Sequence, residues 1–403
     1  MLLKISDNVI KFSILGIAFF LILSSGITNS LIGIGIAVWL LHMISKKDFR
    51  LKSTKLNVWL LLFFAISCIS ILNSIEPQTS VTGVIKLLKY LGIYFLIVEN
   101  VNDIQFHKKV IIALAAGALV SCLDGIVQYA IGRDVLHAYP LIINVGLKRM
   151  TGPLRHCNDF GVYLVTVVGV IWSLALYEFK KREKVLWVLA GLLVTLCIGL
   201  TFSRGAALGF CGGMLVMGII KKDKLILAIL VLSILAMPFL IPSGVKEWSK
   251  ATSSWLESFC NADRIAFYRS SIRMIKDHPI IGVGLNTFMK AYPKYKVRDV
   301  DVITADACYA HNNYLQMAGE TGLVGLAVFL LAIAMFFMEA RGVYRQGASY
   351  ARHAALGLVC GIVAFLLNGL TESSFYFSKI VVVFWVIMGM AVSLKFIKND
   401  YTD

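Results

Sequence analysis

Apolar residues recur along the chain in long runs, which short polar segments separate. Most of these runs have the roughly 20-residue length that an α-helix needs to cross the hydrocarbon core of a bilayer. The pattern predicts an all-α polytopic membrane protein with about twelve transmembrane helices in a single domain over residues 1–403. The expected spans are 9–25, 31–44, 57–73, 81–98, 110–131, 159–177, 185–202, 204–220, 225–242, 312–338, 354–370 and 378–395.

The basic residues of the short loops predict how these spans are oriented. Lys and Arg are concentrated in KKDFRLKSTK (46–55), KKREK (180–184) and KKDK (221–224), with near-neutral connections in between. Because short cytoplasmic loops collect positive charge, these segments and both termini are expected in the cytoplasm. The opposite, outer side then carries a smaller loop at 132–158 and a large loop at 243–311, between spans nine and ten.

The large outer loop is more basic than membrane topology explains. The chain has a net charge of +16, and ten of its Lys and Arg residues lie in 243–311. An excess of positive charge on the outer side indicates an anionic ligand, such as a phosphorylated lipid or glycolipid. A basic loop that rests on anionic headgroups is the alternative. The ten residues are Lys246, Lys250, Arg264, Arg269, Arg273, Lys276, Lys290, Lys294, Lys296 and Arg298.

Within this loop, residues 263–277 (DRIAFYRSSIRMIKD) predict an amphipathic helix that lies across the outer end of the bundle. Arg264 adjoins the apolar stripe and is expected to face the bundle, whereas Arg269 groups with Arg273 on the solvated side. A guanidinium group suits phosphate because its planar fork donates paired hydrogen bonds. The predicted apolar stripe consists of Ile265, Tyr268, Ile272 and Ile275.

Two further ionisable residues stand at predicted span ends. Arg204 separates two apolar runs, and we expect it to have a partner or water because an unpaired arginine in hydrocarbon costs at least about 2.5 kcal/mol. A snorkelling arginine is the alternative. His311 begins the tenth span, and its imidazole can accept a hydroxyl proton near neutral pH. The alternative is an interfacial histidine. Asn312, Gln316 and Glu320 follow in a polar stripe that is expected to face the bundle interior.

The sequence predicts no metal site and no cofactor. Its best candidate for a metal ligand is the pair Asp299 and Asp301, and a bare Asp-x-Asp in a loop is more typical of solvated carboxylates. A disulfide between Cys260 and Cys308 would tie together the ends of the large outer loop, and free thiols are the alternative.

Four segments, taken in order, resemble the bacterial O-antigen ligase and O-antigen polymerase superfamily. They are RMTGPLRHCNDFGVYL (149–164), SRGA (203–206), DRIAFYRSSIRMIKDHPIIGVGLNTF (263–288) and HNNYLQMAGETGLVGL (311–326). Gly152 and Asn158 fall at the matching places of a Gly…Asn-x-x-Gly outer-loop segment. The span count and the large loop agree as well, so the resemblance covers nearly the whole chain. The sequence departs at Phe267-Tyr268, where many relatives have Trp, and we expect this to alter packing more than chemistry.

The resemblance implies a helical glycosyltransferase of GT-C type at the periplasmic face of the bacterial inner membrane. Its donor would be a glycan on undecaprenyl diphosphate, and its acceptor a sugar hydroxyl of lipid A-core. Membrane lipids would surround it, with no nucleic-acid partner, and its oligomeric state stays open. His311 falls on the family's histidine and would be the general base, while Arg204 and Arg264 would bind diphosphate. Secondary candidates are Lys148, Arg149, Asn158, Arg269 and Asn312.

Two other functions remain open at this stage. An O-antigen polymerase would use the same donor but a second lipid-linked repeat as the acceptor; the length and the single dominant outer loop favour the ligase. A transporter would bind the lipid diphosphate without transfer and would need a polar pathway at the membrane midplane. Lys86 and Lys89 in the fourth span are the features that point toward a transporter.

Overall fold

The computed structural model describes residues 2–144, 147–177, 181–222, 226–227, 230–231, 262–297 and 309–397. Almost all of the regular structure in these residues is helical. The helices are α1 (Leu2–Phe20), α2 (Ser25–Lys46), α3 (Lys55–Ile69), α4 (Pro77–Asn100), α5 (Ile104–Ile131), α6 (Cys157–Ala175), α7 (Lys181–Leu200), α8 (Arg204–Lys221), α9 (Ala262–Asp277), α10 (Phe288–Tyr295), α11 (Asn313–Gln346), α12 (Ser349–Asn368) and α13 (Ser378–Ser393).

Ten of the helices in the described part of the chain are long and apolar enough to cross a bilayer, as a polytopic membrane protein requires. They are α2 to α8 and α11 to α13. The first predicted span is helix α1, which is not among the ten and carries Lys4, Asp7 and Lys11. The ninth, at 225–242, lies almost wholly outside the described residues.

The expectation of a purely α-helical chain misses one small feature. In the smaller outer loop, strand β1 (Ile142–Asn144) pairs with strand β2 (Leu147–Arg149) in an antiparallel hairpin. Ile142 and Ile143 are β-branched residues, which favour extended backbone. The hairpin lies directly before Met150, whose backbone N–H donates to the carbonyl of Leu200 at the end of α7.

Helix α12 packs closely against α6 and α8, and glycines make the close approach possible. A Cβ atom on Gly361 would lie 2.1 Å from the carbonyl oxygen of Thr166, and one on Gly209 would lie 2.6 Å from that of Ala364. Helices α6 and α13 are the most deeply enclosed. In the apolar stretch of each of these helices 83% of the residues are buried, against 28% in that of α7. The interior therefore surrounds α6, α12 and α13.

The loops meet in two groups, one at each end of the bundle. At one end, the turn after α3 bonds the segment before α10 (Ile75 N to Val283 O, 3.3 Å), and the first turn of α6 bonds the α12–α13 connection. At the other end, Glu339 accepts from the backbone N–H of Lys55 at 2.6 Å. The described parts of the two predicted outer loops lie at the first end.

Helix α11 is interrupted at Gly322, where φ is 73° and ψ is 175°. The predicted tenth span is therefore not one continuous helix. The segment before α10 runs beside the break and completes its backbone hydrogen bonds. The N–H of Leu323 donates to Pro279 O at 2.8 Å, and the N–H of Val283 donates to Gly319 O at 2.9 Å. This pairing fixes the large outer loop to the first turns of α11.

Helix α9 forms where the sequence predicts it, but its buried face differs from the predicted stripe. Ile272 is 44% exposed, while Ser270, Ser271 and Met274 are fully buried. The two serine hydroxyls bond back to the carbonyls four residues earlier, so they can be buried without loss of hydrogen bonds. Ser270 Oγ also accepts from the backbone N–H of Val297 at 3.2 Å, so this face packs against the segment that follows α10.

Candidate functional site

The carboxylate of Glu372, in the connection between α12 and α13, is the centre of the polar site at the first end of the bundle. Its Oε1 accepts from Arg264 Nη2 at 2.7 Å and from Asn158 Nδ2 at 2.7 Å, and its Oε2 lies 3.1 Å from His311 Nδ1. The Glu372 side chain is only 10% exposed. A carboxylate this enclosed needs such partners, because burying an unpaired charge is costly.

His311 is held at the start of α11 by contacts on its ring and its backbone. Its ring stacks on Phe267 of α9, with centroids 5.5 Å apart and planes 25° apart. The Tyr268 hydroxyl lies 3.3 Å from the His311 carbonyl oxygen and 3.1 Å from that of Leu370. The backbone of His311 has φ of 48°, a left-handed conformation that costs a residue with a Cβ on the order of 1–3 kcal/mol. The side chain remains 35% exposed, so a substrate can reach it.

Arg264 faces the bundle, as expected from its place on α9. Its side chain is 17% exposed and forms the ion pair with Glu372. Arg269, five residues later on the helix, is exposed. The two arginines therefore do not act on one ligand from the same face of the helix.

Arg149 and Asn158 link the smaller outer loop to the turn between α7 and α8. Arg149 donates from Nε to the carbonyl of Thr201 at 3.1 Å, and from Nη2 to Asn158 Oδ1 at 3.0 Å and to the carbonyl of Phe202 at 3.1 Å. Phe202 has φ of 47°, so the chain reverses sharply there. Arg149 thereby holds the residues that immediately precede α8.

Arg204 is the first residue of α8 and its side chain is exposed. The Ser203 hydroxyl caps this helix by accepting from Ala206 N. A Cβ atom on the adjacent Gly205 would lie 2.3 Å from Thr371 Oγ1, so the start of α8 packs against the residue before Glu372. This packing brings Arg204 to the same part of the bundle as Glu372.

The remaining candidates have local structural contacts. Asn312 caps α11, accepting from the N–H groups of Tyr314 and Leu315 at 2.9 Å. Lys148 is exposed on β2. Glu320 is buried as predicted, and its oxygens accept from the backbone N–H groups of Asn286 (2.7 Å) and Phe288 (3.1 Å), at the start of α10.

Aromatic rings also pack between the segment before His311 and the connection between α12 and α13. Tyr309 lies 6.0 Å from Tyr376 and 5.7 Å from Phe377, measured between ring centroids. Burial, followed by the nearby charge of Glu320, raises the pKa of Tyr309 and raises that of Tyr376 well above its usual range. Both phenols therefore stay protonated and neutral.

Glu372 is the residue that the sequence reasoning missed. A signal was available, because it is the only acidic residue between Glu339 and Asp400 and lies in an outer connection of a basic chain. It lies in none of the four segments that resemble the superfamily, and only the fold brings it to His311.

The candidate metal ligands Asp299 and Asp301 and the candidate disulfide residues Cys260 and Cys308 lie outside the described residues. Within the described ranges, no group of three or more His, Cys, Asp or Glu side chains could hold a metal ion.

In the part of the chain that the structure describes, ten apolar helices with a charged, hydrogen-bonded site at one end of the bundle define a polytopic membrane protein. Residues 189–330 match the family model described as O-antigen ligase. The match includes Arg204, Arg264 and His311, and it confirms the resemblance for this part of the chain.

Two relatives extend the similarity beyond these residues. The chain is 23% identical over 297 residues to the exopolysaccharide production protein ExoQ of Rhizobium meliloti (strain 1021), covering 70% of this chain and 64% of that protein. It is 24% identical over 297 residues to a putative polysaccharide ligase of Rickettsia bellii (strain RML369-C), covering 69% and 67%. The chain thus spans about two thirds of the length of these relatives.

Proposed function

We propose that this protein is a glycosyltransferase that moves O-antigen polysaccharide from undecaprenyl diphosphate to a sugar hydroxyl of lipid A-core. The Glu372 carboxylate carries the proposal, because it joins the His311 imidazole to the Arg264 guanidinium. A general base beside a phosphate-binding cation suits attack by a hydroxyl on a diphosphate-linked sugar. We place the reaction at the periplasmic face of the inner membrane, on a fold of GT-C type, in lipopolysaccharide biosynthesis.

His311 acts as the general base through Nε2. An ionised carboxylate only accepts hydrogen bonds, so the contact with Glu372 assigns the proton to Nδ1 and leaves the lone pair on Nε2. Phe267 and Tyr268 fix the direction of the ring from one side. Glu372 is then a positioning residue, and it also stabilises the imidazolium that forms during transfer.

The proposed transfer is a single displacement. The acceptor hydroxyl oxygen bonds to the anomeric carbon of the donor sugar as its proton passes to Nε2 of His311. The bond from that carbon to the diphosphate oxygen breaks, the electron pair stays on the diphosphate, and the anomeric configuration inverts. Arg264 and Arg204 offset the negative charge that grows on the leaving group, so we expect no requirement for a divalent metal.

Arg149 supports this arrangement without contacting the donor. Its guanidinium bonds two backbone carbonyls and Asn158, so we assign it to holding the turn that presents Arg204. Asn158 contacts both Arg149 and Glu372, so it connects the turn before α8 to the carboxylate that holds His311 and Arg264.

The acceptor separates the proposed ligase from the alternative, an O-antigen polymerase that joins lipid-linked repeat units. The relatives include both a protein named as a putative polysaccharide ligase and an exopolysaccharide production protein. The ligase is favoured by the single dominant outer loop of the chain. A transporter is less favoured, because it would need a polar pathway at the membrane midplane, whereas the predicted spans are mostly apolar.

The test is transfer by the purified protein. The protein in detergent is mixed with undecaprenyl-diphosphate glycan, lipid A-core and a metal chelator, and the joined glycolipid is measured by gel shift. The ligase predicts transfer to lipid A-core, and His311→Ala should abolish it while insertion and thermal unfolding stay unchanged. Transfer only to a second lipid-linked repeat would select the polymerase, and full activity of His311→Ala would overturn the base assignment.

A further inference from the structure

A polar cavity of about 350 Å³ lies at the end of the bundle opposite Glu372. Ligand pockets start at roughly 300 Å³, so this volume is enough for a small polar group. The cavity is enclosed by α1, by the end of α2 and by the connection between α4 and α5. Asp48 and Arg50 in its lining form an ion pair with each other at 3.0 Å. The other Asp, Glu and Lys residues of the lining are Asp7, Lys11, Lys46, Glu99 and Asp103.

The two lysines of this cavity form no close ion pair among the described residues, although Lys46 interacts electrostatically with Asp48. Neither Lys11 nor Lys46 forms an ion pair with any residue that the structure describes, and Lys11 Nζ instead lies 5.7 Å from the ring centroid of Phe106. Two ammonium groups in one cavity repel each other and attract an anion. The pair of lysines therefore indicates a site for phosphate.

The carboxylates of the cavity retain capacity to accept hydrogen bonds. Glu99 uses one oxygen to accept from Lys52 N at 2.7 Å, and Asp103 uses one to accept from Phe106 N at 2.8 Å. Asp7 lies 3.5 Å from His42 Nε2 and is 50% exposed. Each carboxylate has two oxygens and about four lone-pair positions, so all three can also bind a cationic donor.

Exposed apolar side chains next to the cavity place its mouth at a membrane surface. Phe12 is 68% exposed on α1, Ile44 is 57% exposed on α2, and Phe49 is 65% exposed in the following loop. Such side chains suit lipid hydrocarbon, while the charged cavity beside them suits the level of the headgroups. Trp39, an aromatic residue typical of this boundary, also lines the cavity.

We propose that this cavity binds the headgroup of a phospholipid that carries both a phosphate and a primary ammonium, as phosphatidylethanolamine does. Lys11 and Lys46 would bind the phosphate, and Asp7, Glu99 and Asp103 would accept from the ammonium. A choline headgroup has no N–H to donate, and a glycerol headgroup leaves the carboxylates without a cation. The site is independent of the chemistry proposed at the other end of the bundle.

Native mass spectrometry of the full-length protein in detergent tests this inference. Phosphatidylethanolamine, phosphatidylcholine and phosphatidylglycerol with identical acyl chains are added separately, and the fraction of lipid-bound protein is measured. We expect phosphatidylethanolamine to bind about tenfold more tightly than phosphatidylcholine, the ratio that one charge-assisted hydrogen bond supplies. Equal retention of these two lipids by the wild-type protein would overturn the proposal.

Substitutions assign the selectivity to the cavity. Asp7→Asn should weaken phosphatidylethanolamine toward the level of phosphatidylcholine, and the double variant Lys11→Gln, Lys46→Gln should weaken both. Lys4→Gln is the matched control, because this exposed lysine of α1 does not line the cavity. Wild-type selectivity in Asp7→Asn, together with wild-type affinity for both lipids in the lysine double variant, would place the lipid elsewhere. If free phosphoethanolamine displaced phosphatidylethanolamine at equal concentration, the cavity would bind a soluble ligand, and the proposal of a lipid occupant would be overturned.

Discussion

His311 and Arg264 contact opposite oxygens of one carboxylate, with His311 Nδ1 at 3.1 Å from Glu372 Oε2 and Arg264 Nη2 at 2.7 Å from Oε1. The three residues come from three separate elements, so the fold couples the proposed base to the proposed diphosphate ligand. A bound donor diphosphate would draw Arg264 away from Glu372. The carboxylate would then stabilise the protonated imidazole of His311 more strongly. We therefore expect donor binding to strengthen His311 as a base.

The first prediction concerns Glu372→Gln. The amide is neutral and no longer stabilises an imidazolium, so the turnover number should fall by about 10²-fold or more. The KM for the lipid-linked donor should not rise, because Arg264 is released from its ion pair. Steady-state transfer kinetics separate the two effects.

The matched control for this variant is Glu76→Gln. Glu76 lies at the same end of the bundle, is 42% exposed and faces Lys290 at 3.6 Å, and its variant should keep wild-type kinetics. An increase in KM with an unchanged turnover number in Glu372→Gln would contradict a role in orienting the base.

The second prediction compares two arginines of helix α9. Arg264→Ala should reduce kcat/KM for the donor by about 10²-fold or more, because the leaving diphosphate loses a charged donor. Arg264→Lys should recover only part of this loss, since an ammonium cannot form the paired contact. Arg273→Ala, on the exposed side of α9, is the control. The assignment fails if the two alanine variants are equally active.

The sequence can predict those parts of the structure that depend on residues close together in the chain. Hydrophobic periodicity locates ten spans and the amphipathic segment of α9, since both follow from residues near each other in the chain. The face of Arg264 also follows from helical spacing. Glu372 could not be paired with His311 in this way, because 61 residues separate them and the contact exists only after α11 and α12 have packed.

The buried face of α9 and the break in α11 show a second limit. Hydropathy assigns Ile272 to the interior and Ser270 to the surface, but the serine hydroxyl is satisfied within its own helix. Gly322 lies in an apolar run that reads as continuous helix, and its interruption depends on backbone hydrogen bonds from a segment about forty residues earlier. Both features are decided by tertiary contacts that override local preference.

The third prediction concerns Tyr268→Phe. The variant keeps the ring and removes the hydroxyl that lies near the carbonyls of His311 and Leu370. The loss of one neutral hydrogen bond, about 1 kcal/mol, should lower transfer roughly fivefold through looser placement of His311. Tyr295→Phe is the control, because the hydroxyl of Tyr295 interacts with Lys294 and Asp277 and not with the carbonyl of His311. Equal activity of both variants would show that Tyr268 does not position the base.

The fourth prediction concerns the break in helix α11. Gly322 has φ of 73°, and a Cβ atom there would lie 2.0 Å from the carbonyl oxygen of Ile280. Gly322→Ala should therefore cost at least about 1–3 kcal/mol from backbone strain, with the steric clash in addition. A lower midpoint of thermal unfolding in detergent, together with reduced transfer, is the expected result.

Gly342→Ala in the same helix is the control for this effect. Among the described residues, and apart from its chain neighbours and the backbone of its own helix, nothing lies within 4 Å of the Cβ that alanine would add at Gly342, and the backbone there is helical. Alanine should be neutral or stabilising by up to about 1 kcal/mol, because it loses less conformational freedom than glycine. If both variants lowered the unfolding midpoint equally, the loss would reflect a general intolerance of α11, and the pairing of the outer segment with the break at Gly322 would not explain it.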